Sequence, residues 1–236
     1  ALGAAYWKGG FSNIWAASDG AAQSNWVASA GGAAQPLTPG SGADVFISAD
    51  TPTAPTGTVL GANMTIKSLT IQDTANGLGL NADGNTLTIA GASGITMNAG
   101  VLASTIGANV ALGVDQTWTN NSANALTVSG GISGSSNLTK AGTGSVTLSG
   151  PNTFTGAVTI ATGTLEIGGA GYLAGGTYAG TISNAGTLRV STSANQALSG
   201  TISGSGALAK AGTGTLTLAD ANDYTGVTTV AGGILS

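Results

Sequence analysis

The sequence predicts an all-β chain wound as a parallel β-helix, or β-solenoid, with an aromatic-rich N-terminal cap. Three observations carry this. The chain repeats itself: residues 129–166 (SGGISGSSNLTKAGTGSVTLSGPNTFTGAVTIATGTLE) and 199–236 (SGTISGSGALAKAGTGTLTLADANDYTGVTTVAGGILS) align without a gap at an offset of 70, with roughly 21 of 38 positions identical. Repetition at fixed spacing marks a stack in which each unit covers the apolar face of its neighbour. Short runs alternate apolar and polar residues at a period of two, the pattern of half-buried strands. Glycine, at 41 of 236 residues, is too frequent for helices, and no ten-residue stretch has helical periodicity. A sandwich also shows short strands and frequent turns, but it does not account for near-identity at a fixed offset.

The N-terminal region comes first. Tyr6, Trp7, Phe11, Trp15, Trp26 and Phe46 are six of the eleven aromatics, and Pro36, Pro39, Pro52 and Pro55 are four of the five prolines. A solenoid ends on a raw apolar cross-section, and large aromatics cover the most area per residue. Residues 1–42 therefore read as an irregular cap sealed by Trp7, Trp15 and Trp26. A carbohydrate-binding aromatic platform is the rival reading. Residues 43–236 read as coils, the first beginning at Asp44–Ile47.

Strand runs follow at Met64–Ile71, Thr86–Ile89, Ala125–Ser129, Ser145–Ser149, Ala157–Ile160, Thr164–Ile167, Thr187–Val190 and Thr215–Leu218. Turn residues separate them: Asp83-Gly84-Asn85, Ala141–Gly144, Pro151-Asn152 and Thr155-Gly156. LTI- and VTL-type runs recur about every 18–23 residues, so the 70-residue offset corresponds to about three coils. About ten coils at ~4.8 Å would make a rod of roughly 50 Å. Leu, Val and Ile fill its interior, and Thr and Ser line its exterior.

Composition excludes several functions. Only 6% of residues are charged, against about 25% in ordinary soluble proteins. Solubility therefore rests on hydroxyls and amides, while 42% hydrophobic residues in alternation can bury a core, which argues against disorder. Net charge is −4, and the five bases Lys8, Lys67, Lys140, Arg189 and Lys210 are scattered. That leaves no basic footprint for nucleic acid or an anionic membrane. No apolar run approaches the ~18 residues of a spanning helix, so no transmembrane segment is expected. There is no cysteine, hence no disulfide and no thiolate-bound metal; a chain exported unfolded through a pore gains from having no cross-linked loop. The start at Ala1, without an apolar leader, suits a processed or trimmed chain.

No catalytic, cofactor or metal site is expected. The carboxylates are Asp19, Asp44, Asp50, Asp73, Asp83, Asp115, Glu166, Asp220 and Asp223, and there is no histidine to act as base or ligand. Only Asp220 and Asp223 are close in sequence, on a turn. Asp83-Gly84-Asn85 and Asp220-Ala221-Asn222-Asp223 match neither the twelve-residue calcium loop nor the calcium nonapeptide, and read as turn geometry. Asn63, Asn120 and Asn137 open Asn-x-Ser/Thr triplets that arise readily in such a composition. Lys140 and Lys210 share one repeat position, before an Ala-Gly-Thr-Gly turn, where they are expected to bond turn carbonyls or meet a carboxylate on the next coil. Phe154 and Tyr224 are expected to stack as a ladder on one face, and Asn152 and Asn222 to bond backbone at their turns.

The repeat has a recognisable pattern. Leu138, Lys140, Gly142, Gly144, a Val-Thr-Leu strand, Asn152, Phe154 and Gly156 are followed by a second set, Leu208, Lys210, Gly212, Gly214, a Thr-Leu strand, Asn222, Tyr224 and Gly226. This resembles the passenger-associated β-strand repeat of bacterial autotransporters, and the two copies cover about a third of the chain. The N-terminal Trp7, Gly10, Trp15, Asn25-Trp26, Pro39 and Asp44-Val45-Phe46 are similar, less specifically, to the segment that often precedes such repeats. The resemblance implies a right-handed β-helix, type V secretion and an extracellular location at the bacterial cell surface. It implies a role in the stalk and its folding, not catalysis. The chain stops at Ser236 inside the second copy and has no membrane barrel, as expected of a fragment or of a subunit completed by another chain. The function expected is a secreted, non-catalytic stalk or adhesin that contacts host or neighbouring-cell surface molecules. One alternative is a self-assembling extracellular filament, a homo-oligomer joined head to tail through open β-helix ends. Another is a polysaccharide-active β-helix with its acids gathered on one face.

Overall fold

The computed structural model describes residues 2–33, 35–48 and 55–236. Asp50 and Pro52 lie outside them. The described chain is a parallel β-solenoid of three faces, visited in the same order on every coil.

Face 1 carries Leu2–Trp7, Pro39–Ile47, Ser68–Ile71, Ile95–Met97, Gln116–Asn120, Leu138–Ala141, Val158–Ile160, Ile182–Asn184 and Ile202–Ser203, all parallel in that order. Face 2 is an eight-stranded sheet from Gly79–Leu80 to Thr228–Val230. Face 3 begins with Met64–Ile66, Thr86–Ile89, Asn109–Leu112 and Ile132–Ser133. It continues in two shorter sheets, from Pro151–Asn152 to Ile234–Leu235. From Pro39–Ile47 onward, in-register partners lie between 19 and 26 residues apart, from Val146↔Leu165 to Leu69↔Ile95.

Alternation assigns the side chains. Ala5, Val45, Leu69, Ile95, Trp118, Lys140 and Ile160 form one inward row on face 1. All are buried. The neighbouring positions Thr70, Thr96 and Thr119 form an outward row. β-Branched residues suit both sides, because they pack well on a pleated surface.

Three sequence expectations need correction. The run Met64–Ile71 is not one strand: Met64–Ile66 lies on face 3, and Ser68–Ile71 lies on face 1 after a corner at Lys67. The solenoid has about eight coils, not ten, about 40 Å at the usual spacing. The opening residues account for part of the difference, because Leu2–Trp7 is followed by no further face 1 strand until Pro39–Ile47. The 70-residue offset is not three coils. Three coils above Leu138 lies Ile202 (Leu138↔Val158↔Ile182↔Ile202), and Leu208 is one corner further on. The second repeat copy is therefore turned by one face relative to the first. The repeat specifies a corner with its flanking strands, and two of the three corners host it.

At the N-terminal end, Leu2–Trp7 is a strand parallel to Pro39–Ile47, and Trp26–Val27 pairs with it antiparallel. Trp7, Trp15 and Trp26 are buried together. Trp26 meets Trp7 edge-on at 5.1 Å and Trp15 at 5.3 Å. Trp26 Nε1 donates to Trp15 O (2.7 Å) and Trp15 Nε1 donates to Thr58 Oγ1 (3.1 Å). Trp7 Nε1 has no partner among the described residues. Buried as they are, the three indoles cannot serve as an exposed platform.

The corners leave no room for side chains. A Cβ on Gly156 would overlap Ser136 O, and one on its repeat equivalent Gly226 would overlap Gly206 O. Gly42, in contrast, faces open space. Gly156→Ala is expected to cost about 1–3 kcal/mol of stability and Gly42→Ala less than about 0.5 kcal/mol. Urea unfolding of the two variants checks this, and equal midpoints would contradict the corner geometry.

Candidate functional site

The repeat motif builds a buried corner, and each named residue has a place in it. Leu138 is buried on face 1 and Leu208 on face 2. Gly142 and Gly212 turn the corner with φ of 76° and 70°, a conformation open to glycine at little cost. Gly144 and Gly214 sit directly against Ser122 O and Ala194 O of the coil below.

Lys140 and Lys210 are each 1% exposed. Lys140 Nζ donates to Ala141 O (2.7 Å), Gly142 O (2.8 Å) and Thr162 O (3.1 Å). Lys210 Nζ donates to Ala211 O, and at 3.1 Å to both Gly212 O and Gly232 O. Each ammonium thus spends its three N–H groups on carbonyls of its own corner and of the next coil. Neither meets a carboxylate. The two lysines lie on different faces, yet their bonding is the same. Glycine roofs both: Gly163 and Gly233 have positive φ, and a Cβ on either would press on the Nζ below. These two glycines are repeat equivalents in the sequence, so identity at that position was the signal that could have found them. Burial pushes the Lys140 amine down to about 8 and lowers that of Lys210 as well. Lys210 is equally inaccessible but lies under the last coil, with less protein around it.

The turn asparagines also repeat their chemistry. Asn152 Oδ1 accepts from Ile132 N (3.2 Å) and its amide donates to Gly150 O (2.8 Å) and Tyr172 O (3.1 Å). Asn222 Oδ1 accepts from Ile202 N (2.7 Å) and its amide donates to Asp220 O (2.8 Å). Each therefore ties its turn to the coil below. Phe154 and Tyr224 do not stack as a ladder. Phe154 follows the face 3 backbone and bonds to Ile132 O, whereas the backbone beside Tyr224 follows face 1, with Asp223 N on Ile202 O. The one-face rotation separates them. Phe154 is buried edge-on to Tyr178 at 5.9 Å, and Tyr178 donates its hydroxyl to Gly156 O. Asn120 and Asn184 are further buried amides that brace corners, through Ser145 O and Ala207 O respectively. No repeat identity pointed to them.

The carboxylates are dispersed and largely occupied. Asp19 accepts from the N–H groups of Gln23, Ala21 and Ala22, which hold its pKa below the ordinary range. Asp44 is lowered too: partial burial opposes this, but hydrogen bonds from Lys67 and Ser68 outweigh it. Asp83 is lowered in the same way against burial, by Asn85 and Gly61 N–H. Asp220 is lowered by Ala221 N–H and Thr201 Oγ1. Glu166 pairs with Arg189 (3.2 Å) across adjacent coils of face 2. Among the described residues no three metal-ligating side chains converge.

The surface left for contacts is the outside of the coils. A shallow groove of about 330 Å³ follows face 1 across three coils, lined by Gln116, Thr117, Asn137, Thr139 and Thr159, with Asp115 at its margin. Asp115 accepts from Asn137 N and Nδ2 (both 2.8 Å), and Asn137 Oδ1 accepts from Ala157 N (2.8 Å).

A stacked rod with buried repeat corners and hydroxyl-lined outer faces is an architecture that a passenger segment can take. Comparison with known proteins agrees. The passenger-associated-transport-repeat family model matches residues 138–167 and 208–236. These are the two corner motifs. The Adhesin BmaC autotransporter of Brucella suis biovar 1 (strain 1330) is 37% identical across 44% of this chain and 4% of its own length. The chain thus spans a small fraction of that relative. No solved structure matches. The chain carries the repeats of an autotransporter passenger domain, which places it outside the cell, at the bacterial surface.

Lysine burial gives a pH signature. The Lys140 amine titrates near 8 when folded and near 10.5 when unfolded. Between those values the unfolded chain binds more protons, so stability rises with pH. Tyr178 is pushed the other way by burial and acts only above its ordinary value of 10. From pH 8 to pH 10 the wild-type chain should therefore gain up to about 2 kcal/mol. In Lys140→Met the gain should shrink, with lower stability at pH 7 because three carbonyls lose their donor. Urea midpoints at the two pH values check both statements, and a flat wild-type profile would refute them.

Proposed function

We propose that this segment is a non-catalytic part of a surface adhesin: a rod that projects from the cell and presents its outer faces to molecules on host or neighbouring cells. The passenger-associated repeats at both corner motifs carry the reading, and the similarity to a protein described as an adhesin supports it. Among the described residues the interior is filled by apolar rows and by polar groups that, Trp7 Nε1 apart, are satisfied within the rod. The four lowered aspartates stay ionised at neutral pH, so none is a general acid. The remaining described acids sit on different corners and faces, and no pair of them is set across one cleft.

Stiffness follows from the construction. Strands inside each sheet are hydrogen-bonded to the coils below and above, and lysine and asparagine side chains add ties at the corners. Residues 1–42 act in this reading as the cap of the rod, with residues 43–236 as its shaft.

The test is display of the segment on a bacterium through a heterologous autotransporter barrel. Adherence to epithelial cells or to sister cells should rise several-fold over the barrel alone. Verified display without any gain in adherence would defeat the proposal. Sedimentation of the purified chain over a concentration range covers the filament alternative. A constant monomer mass is expected, and concentration-dependent fibres would put self-assembly in its place.

A further inference from the structure

Face 1 carries an uncharged strip along the rod. Its outward row starts with Tyr6 and Phe46, whose rings stack 4.6 Å apart at 14°. The row continues in register through Thr70, Thr96 and Thr119. Beside it runs a second outward row, Thr117, Thr139, Thr159, Ser183 and Ser203. The groove described above lies over the second row.

Tyr6 and Phe46 are half-buried on the outer surface and are not part of the apolar core. The cap is already sealed by the three indoles, so these two rings are not needed to close it. The charges near the strip are few: Lys8, Asp44, Lys67 and Asp115, each with a hydrogen-bond partner. Asp44 pairs with Lys67 at 2.9 Å, and both Asp115 oxygens accept hydrogen bonds from Asn137. From Tyr6 to Thr159 the strip covers six coil steps, roughly 29 Å.

We infer that this strip binds an uncharged, extended glycan lying along the rod axis. The apolar C–H face of a sugar ring packs on exposed apolar surface, and the outward edges of the stacked Tyr6 and Phe46 rings supply it at the head of the strip. Sugar hydroxyls both donate and accept hydrogen bonds. The outward threonine and serine rows offer both functions at a regular interval. A polymer with a repeating unit suits a surface with a repeating unit, because successive sugars meet successive coils. Each contact is weak and their number gives the affinity. Positive charge beside the strip is limited to Lys8, which donates to Gly32 O (3.3 Å), and the Asp44-paired Lys67, too little to favour sulfated or sialylated glycans. The inference rests on the adhesive reading by naming the class of molecule that this face contacts.

The test is titration of the purified full chain with maltohexaose, cellohexaose and mannohexaose, and with a sialylated and a sulfated oligosaccharide of similar length, followed by NMR or calorimetry. At least one neutral hexasaccharide should bind, and both acidic sugars more weakly. Tyr6→Ala/Phe46→Ala should weaken binding at least tenfold. Thr139→Val keeps shape and strand propensity while losing one hydroxyl, so it should weaken binding several-fold with an unchanged melting curve. Binding by none of the neutral sugars, stronger binding of the acidic ones, or full affinity in both variants would overturn the inference. Cell assays separate it from the adhesive reading. Adherence that persists on enzymatically deglycosylated cells overturns the glycan inference and leaves adhesion standing. Absence of adherence on untreated cells counts against adhesion, while the hexasaccharide titration still decides the glycan question.

Discussion

The spacing of the parallel hydrogen-bond ladder governs this molecule. Successive coils are held about 4.8 Å apart along every strand, and at each corner the backbone of one coil lies on the backbone of the next. A β-carbon does not fit between them at Gly144, Gly156, Gly214 or Gly226. Small residues at corners are thus a consequence of the ladder, not of loop flexibility. The same spacing brings like residues into rows, so a choice made at one position is repeated up the rod.

The corners also explain how lysine comes to be buried in a protein with so few charges. Sharp turning leaves carbonyl groups pointing inward with no strand partner, and buried acceptors need donors. An ammonium has three, arranged so that one nitrogen serves two coils at once. The desolvation cost of the charge is partly offset by those bonds, and removing one partner would leave the rest stranded. Asparagine solves the same problem where both a donor and an acceptor are needed. Lys140 and Lys210 find identical partners on different faces. The motif is therefore a local solution for one corner, used here at two of the three.

With the interior and corners committed to holding the stack, variation is left to the outward positions. Face 1 presents hydroxyls and a stacked aromatic pair, and face 2 presents the Glu166–Arg189 pair. The wall repeats every coil, so its chemistry is spread along a line instead of being gathered in a pocket. That geometry suits contact with extended surfaces or polymers. It suits concerted acid–base chemistry poorly, because the carboxylates are tied into separate turns.

The sequence by itself determined the strand period, the stacked architecture and the repeat motif with its lysines, glycines and asparagines. Each of these is local: alternation fixes which side chains face in, and identity between copies marks positions with a shared role. Only the tertiary structure decided the winding. Coil length varies from 19 to 26 residues, so an offset of 70 can mean three coils or three coils and a corner. The sum of the lengths in between selects the second. That sum placed Phe154 and Tyr224 on different faces, and closure of the coil broke Met64–Ile71 at Lys67. It also buried Trp7, Trp15 and Trp26 while setting Tyr6 on Phe46 outside. Alternation within one strand says which residues share a side, but only the closed coil says which strands become neighbours.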